Sequence, residues 1–118
     1  MMKLVDYPVA IAEKERQLLR AEQHLRRLQD IVNRLTAEID TAIAFDSKLR
    51  NDAQQKAQRL ELMGAADYRK AWTNLQTAQN DRVELEIDLN LLRNQFSVFR
   101  LQLRKRIADR ELQMMDAA

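Results

Sequence analysis

The sequence predicts an all-α fold: a long antiparallel helical hairpin of the coiled-coil type, completed by dimerisation into a four-helix bundle. Three observations carry this. The 118 residues contain one Gly and one Pro, too few strong turn formers for the many turns of a β domain. Leu, Ala, Arg and Gln dominate the composition, as in long helices. Apolar residues recur with heptad spacing in two long stretches separated by the lone glycine. The length fits one domain, read as a helix over about 9–63, a turn at about 64–66 and a helix over about 67–115.

The first helix starts at Pro8, whose fixed φ suits a first turn, with Asp6 just before it as a candidate cap. Ile11, Leu18, Leu25, Val32, Ile39, Asp46, Ala53 and Leu60 then form the a positions of a seam. Lys14, Ala21, Leu28, Leu35, Ala42, Leu49, Lys56 and Met63 form the d positions. Only Lys14, Asp46 and Lys56 interrupt it. The stretch Ala44 to Asp52, AFDSKLRND, holds several poor helix formers and is the place for a kink or a break into a third helix. Gly64 follows Met63 as a helix-ending residue able to adopt the left-handed conformation, and Asp67 offers a cap for the next helix. The second seam runs Tyr68, Leu75, Arg82, Leu89, Phe96 and Leu103, with Ala71, Ala78, Leu85, Leu92 and Phe99 between. Past Leu103 the frame slips, which predicts fraying or a stutter. Two helices of about 50 residues would each reach about 75 Å.

A fold at Gly64 makes facing residue numbers sum to about 128. Leu25 then meets Leu103, Val32 meets Phe96 and Ile39 meets Leu89. The charged interruptions Asp46 and Arg82 obey the same sum. A lone charge in an apolar seam is costly and a paired one is tolerated, so Asp46 and Arg82 are read as a register-fixing pair.

A two-helix hairpin leaves part of its apolar surface open. Val83, Ile87, Leu91, Val98 and Leu101 fall at b, c and f positions, so the second helix is apolar on two faces. Ile31, Ile43 and Phe45 flank the first seam. The outer stripe is read as an oligomer interface, since large apolar patches mark partner sites. The competing reading has the chain fold back near Asp46 and cover the stripe itself.

Catalytic constellations are not found. The chain has no Cys and one His. It has no Gly-rich phosphate loop, no G-x-S-x-G and no H-E-x-x-H. No cofactor motif occurs. His24 stands two residues from Glu22, not in the Glu-x-x-His spacing of bundle metal sites, and is read as a solvated side chain. Glu84, Glu86 and Asp88 alternate and therefore diverge on a helix; Glu38 and Asp40 are read the same way. The sequence predicts a protein that is not an enzyme.

Charge is uneven along the chain. In that hairpin the first 35 residues lie beside the last 25, giving an open end of +4 against −2 for the remainder, within a net charge of +2. Arg100, Arg104, Lys105, Arg106 and Arg110, facing Arg16, Arg20, Arg26 and Arg27, form a candidate phosphate-contacting surface for nucleic acid. The plainer account is that basic residues suit a helix C-terminus and pair with Glu13, Glu15, Glu22 and Glu111. At the other end Met63, Tyr68 and Trp72 gather with Leu60 and Leu62 as candidate tip contacts or as the cap of the bundle.

No segment is long and apolar enough for a membrane span, and the N-terminus lacks a signal-peptide core. With no Cys this fits a cytoplasmic protein. The outline is similar to antiparallel coiled-coil hairpins such as export-apparatus stalk proteins and prefoldin-type arms. That likeness is one of architecture and brings no residue role with it. The function expected from sequence is a structural, non-enzymatic adaptor that self-associates and binds another protein. The alternative is a nucleic-acid-associated accessory protein of a mobile-element or replication type that uses its Arg-rich end.

Overall fold

The computed structural model describes residues 2–117. A short 3-10 turn, Leu4–Asp6, leads into α1 (Tyr7–Ala44); α2 (Asp52–Met63) and α3 (Ala66–Ala117) follow, and no strand occurs among the described residues. The all-α class and the antiparallel helical hairpin are as the heptads predict. The continuous helix over 9–63 is not: seven residues, 45–51, interrupt it.

The break is built from side chains that compete with the helical backbone. Asp46 accepts the Lys48 N–H at 2.9 Å, an Asx turn that diverts the chain. Leu49 N–H then closes a turn on the Asp46 carbonyl at 3.2 Å. Asn51 is extended, with φ −147° and ψ 169°, and its side-chain oxygen accepts the Gln54 N–H at 2.8 Å. That is an N-cap, which satisfies one of the orphan donors of α2. Gln54 reaches back in turn and accepts the Arg50 N–H at 2.7 Å. No Gly or Pro takes part.

Two compact units make up the chain: the N-terminal residues to Leu19 with those from Val83 onward, and residues 20–82. In the second of these, Val32, Ala71 and Leu75 form a buried cluster, with Leu25, Leu28 and Leu35 packed on it. Leu75 is the most buried side chain, at 1% exposure. The small side chains Ala71 and Ala78 are also buried, which lets the helices approach closely. The Tyr68 hydroxyl lies 3.3 Å from the Thr36 hydroxyl, which itself bonds the Val32 carbonyl at 2.8 Å. α2 contributes no buried residue. Arg59 ties it to Asp40 of α1. Leu62 at its end and Ala65 beyond it line an apolar cleft of about 250 Å³ with Leu35, Ile39 and Tyr68.

In the other unit Tyr7 is the buried centre, at 4% exposure. Its ring stacks on Phe96, with centroids 5.8 Å apart, and tilts against Phe99 at 5.5 Å. Leu89 is buried as well. Arg93 donates to Glu15 at 3.0 Å, and Lys14 lies 4.0 Å from Asp88. Arg93, Glu15 and Asp88 are about half exposed, and the 4.0 Å contact of the more buried Lys14 is long, so both pairs contribute little.

These contacts fix the register. Tyr7 faces Phe96, Glu15 faces Arg93 and Thr36 faces Tyr68, so facing numbers sum to about 104 rather than 128. The reason is the break. The chain reverses through the whole 45–65 segment, so the centre of the hairpin lies in α2 and not at Gly64. The expected partners change accordingly: Val32 packs with Ala71 and Leu75, not with Phe96.

Three local expectations change too. Gly64 ends α2 with φ −79° and ψ −8°, the ordinary right-handed conformation. Its N–H bonds the Leu60 and Glu61 carbonyls, so the helix tightens at its end rather than reversing through a left-handed residue. Asp67 lies in the first turn of α3, which begins at Ala66, and is not its cap. Its charge still sits where the helix dipole favours an anion. α3 does not fray near its end: it stays helical to Ala117.

Candidate functional site

Two surfaces of α3 in the unit that holds Tyr7 stand out. The first is the outer stripe. Val83, Ile87, Leu91, Val98 and Leu101 lie within about 80° of one another around the helix at 100° per residue. Their exposures are 44%, 60%, 54%, 52% and 62%. The inward residues Leu85, Leu89 and Leu92 of the same segment are half-buried or buried. The chain does fold back near Asp46, but the stripe stays open.

The second surface follows from the register. α1 begins at Tyr7, opposite Phe96 and Phe99, so α3 runs on with nothing of α1 beside its last part. Every residue from 100 to 117 is exposed. The inward face continues into this overhang as Leu103, Ile107 and Met114, exposed by 43%, 49% and 74%. Leu4, Val5 and Pro8 close the base of an open groove of about 480 Å³ that also holds Phe96, Leu103 and Ile107. Arg100 and Arg104 border it, and the Arg100 guanidinium lies 5.5 Å above the Phe96 ring. Arg106 and Arg110 border the other side of the same face, with Leu103 and Ile107 between.

Arg100, Arg104, Lys105, Arg106 and Arg110 are thus all on the overhang. Among the described residues no carboxylate lies within ion-pair distance of any of them. The acidic residues expected to neutralise them do not: Glu15 pairs with Arg93. The expected opposing arginines are not there either. Arg16 adjoins Glu15, on the stretch of α1 that faces Asp88 and Arg93. Arg20, Arg26 and Arg27 belong to the other unit. The juxtaposition rested on the register of 128, which the break removes.

Asp46 lies in the connection after α1 with its carboxylate on the Lys48 N–H, whereas Arg82 is half-buried on α3. A register role for this pair needs a seam through residue 46, and the first helix ends before it. Of the tip candidates, Met63 is half-buried. Tyr68 belongs to the packed interior through Thr36. Trp72 is partly exposed, edge-on to the Tyr68 ring at 6.4 Å. Phe45, which the sequence places only on the flank of the seam, is 86% exposed at the break. His24 is exposed on α1. Glu84 and Asp88 are exposed, Glu86 is half-buried, and Asp88 faces Lys14. Among the described residues no three acidic or histidine side chains converge to hold a metal ion, and no helix is long and apolar enough to cross a membrane.

Sequence reasoning missed Tyr7. It precedes the heptad frame and looked like a residue before a helix start. The signal was there in part: a large aromatic next to Pro8, one helical turn before Ile11. It also missed the overhang, which no local pattern announces.

No protein family, characterised protein or solved structure is found that matches the chain.

Proposed function

We propose that the protein is a non-enzymatic coiled-coil interaction module, a cytoplasmic adaptor, that self-associates through the outer stripe of α3. One observation carries this reading: five large aliphatic side chains lie open along one face of a helix whose opposite face is already packed as far as Phe99. Such a stripe, about 27 Å long from Val83 to Leu101 at 1.5 Å per residue, is what a second hairpin would cover in a four-helix bundle. Absolute mass by light scattering over a concentration series tests it. The expected result is a dimer or larger species at both low and high salt. Leu91→Glu combined with Val98→Glu should give a monomer of unchanged helicity, because both side chains are exposed within the chain. A wild-type monomer at every concentration, or a double variant of unchanged mass, overturns the reading.

A second reading has one observation in its favour. Among the described residues the five basic side chains of the overhang have no carboxylate partners, which suits phosphate contacts of a nucleic acid. Titration of labelled duplex and single-stranded DNA at low salt tests it, with steeply salt-dependent binding as the positive result and no binding as the negative.

A further inference from the structure

We infer that the overhang of α3 is a docking groove for an acidic amphipathic helix of another protein. The floor is apolar: Leu103 and Ile107 continue the face that Phe96 and Phe99 present to Tyr7, and Met114 extends it by two turns. Leu4, Val5 and Pro8 give the groove a closed end. The exposed length from 100 to 117 corresponds to about 26 Å of helix, enough for a partner helix of four to five turns.

The charges select the occupant. Arg100 and Arg104 line one bank, and Arg106 and Arg110 the other; Lys3 adds a fifth cation near the closed end. Two acids stand among these cations: Asp109 beside Arg106 and Arg110, and Glu111, two helical turns after Arg104. Asp6 near the base is already engaged by the Lys3 N–H at 3.0 Å. A helix with aliphatic residues on one face and Glu or Asp on both sides of them complements this arrangement, with the flanking ion pairs setting orientation. A second copy of this chain does not. A two-fold pair sets the same patch against itself and would bring eight arginines together around one seam. A phosphate backbone uses the arginines but leaves Leu103, Ile107 and Met114 in water. This surface is separate from the outer stripe, so the inference stands or falls independently of self-association.

The test uses the full chain and three synthetic peptides of about 18 residues. One carries Leu at seam positions flanked by Glu, one carries Lys in place of Glu, and one is the Glu peptide with its Leu residues replaced by Ser. Fluorescence anisotropy is read over a salt series. The Glu peptide should bind about tenfold or more tightly than either other peptide, and less tightly as salt rises. Arg104→Glu with Arg106→Glu should reverse the preference to the Lys peptide, and Ile107→Glu should abolish binding of both. All three sites are exposed, so circular dichroism of these variants should match the wild type. Repeating the titration with Leu91→Glu, Val98→Glu protein should leave binding intact, which separates this surface from the stripe. Equal affinity for the Glu and Lys peptides, or a preference unmoved by charge reversal, overturns the inference. So does a dimer that Ile107→Glu dissociates, or DNA binding that the Glu peptide fails to displace.

Discussion

Tyr7 shows how much one side chain can decide. Its ring is the buried contact that anchors the start of α1 to α3, held between Phe96 and Phe99. Tyr7→Ala should cost about 3 kcal/mol in urea denaturation, the usual loss for a buried ring, and should loosen the N-terminal turn first. Tyr7→Phe should cost far less, since the stacking remains. Gly64 makes the opposite point. The sequence marks it as the one place where the chain needs glycine, yet its φ is open to any residue. A Cβ there would stand 3.3 Å from the Glu61 carbonyl and 3.4 Å from that of Leu60. Gly64→Ala should therefore shift stability by less than about 1 kcal/mol in either direction, measured by the same titration. A left-handed glycine would lose more.

The elements were legible wherever packing and periodicity agree. The seam positions from Leu18 to Leu35 and from Tyr68 to Leu92 are the ones that face inward, because one apolar stripe per helix meets one partner. The heptads failed over 46–63. There Asp46, Ala53 and Leu60 keep the spacing, but Asp46 and Asn51 bond nearby backbone donors and end the helix first. Periodicity records which faces a helix would have, not whether it forms. Asn51→Ala should remove the cap of α2 and cost about 1 kcal/mol, with faster amide exchange over residues 52–55. The register was not legible at all, since it follows from the length of the break. A cross-link checks it: in a chain that has no cysteine, Glu15→Cys with Arg93→Cys should join within one molecule through a short bis-maleimide. A register of 128 would set residue 35 opposite Arg93 and leave that pair unlinked.

For the whole molecule, the candidate surfaces were legible in kind and not in place. The outer stripe could be read because b, c and f positions carry aliphatic residues. The basic cluster could be read from its arginines, but its surroundings could not, because they depend on which part of α1 stops where. An uncovered helix of this length has little tertiary support. Brief trypsin treatment should therefore cut first among Arg104, Lys105, Arg106 and Arg110 and leave the rest of the chain intact. Addition of the Glu-flanked peptide should slow those cuts.

Trp72 is the chain's only tryptophan, and it lies against Tyr68 in the unit formed by residues 20–82. Its fluorescence is therefore a local gauge. Circular dichroism sums over every helix, whereas indole emission follows the surroundings of one aromatic pair. Coincident melting curves by the two signals would mean that the protein unfolds in a single cooperative step. Separated curves would date the loss of the Tyr7 contacts against that of the Val32 cluster, with no label attached to either.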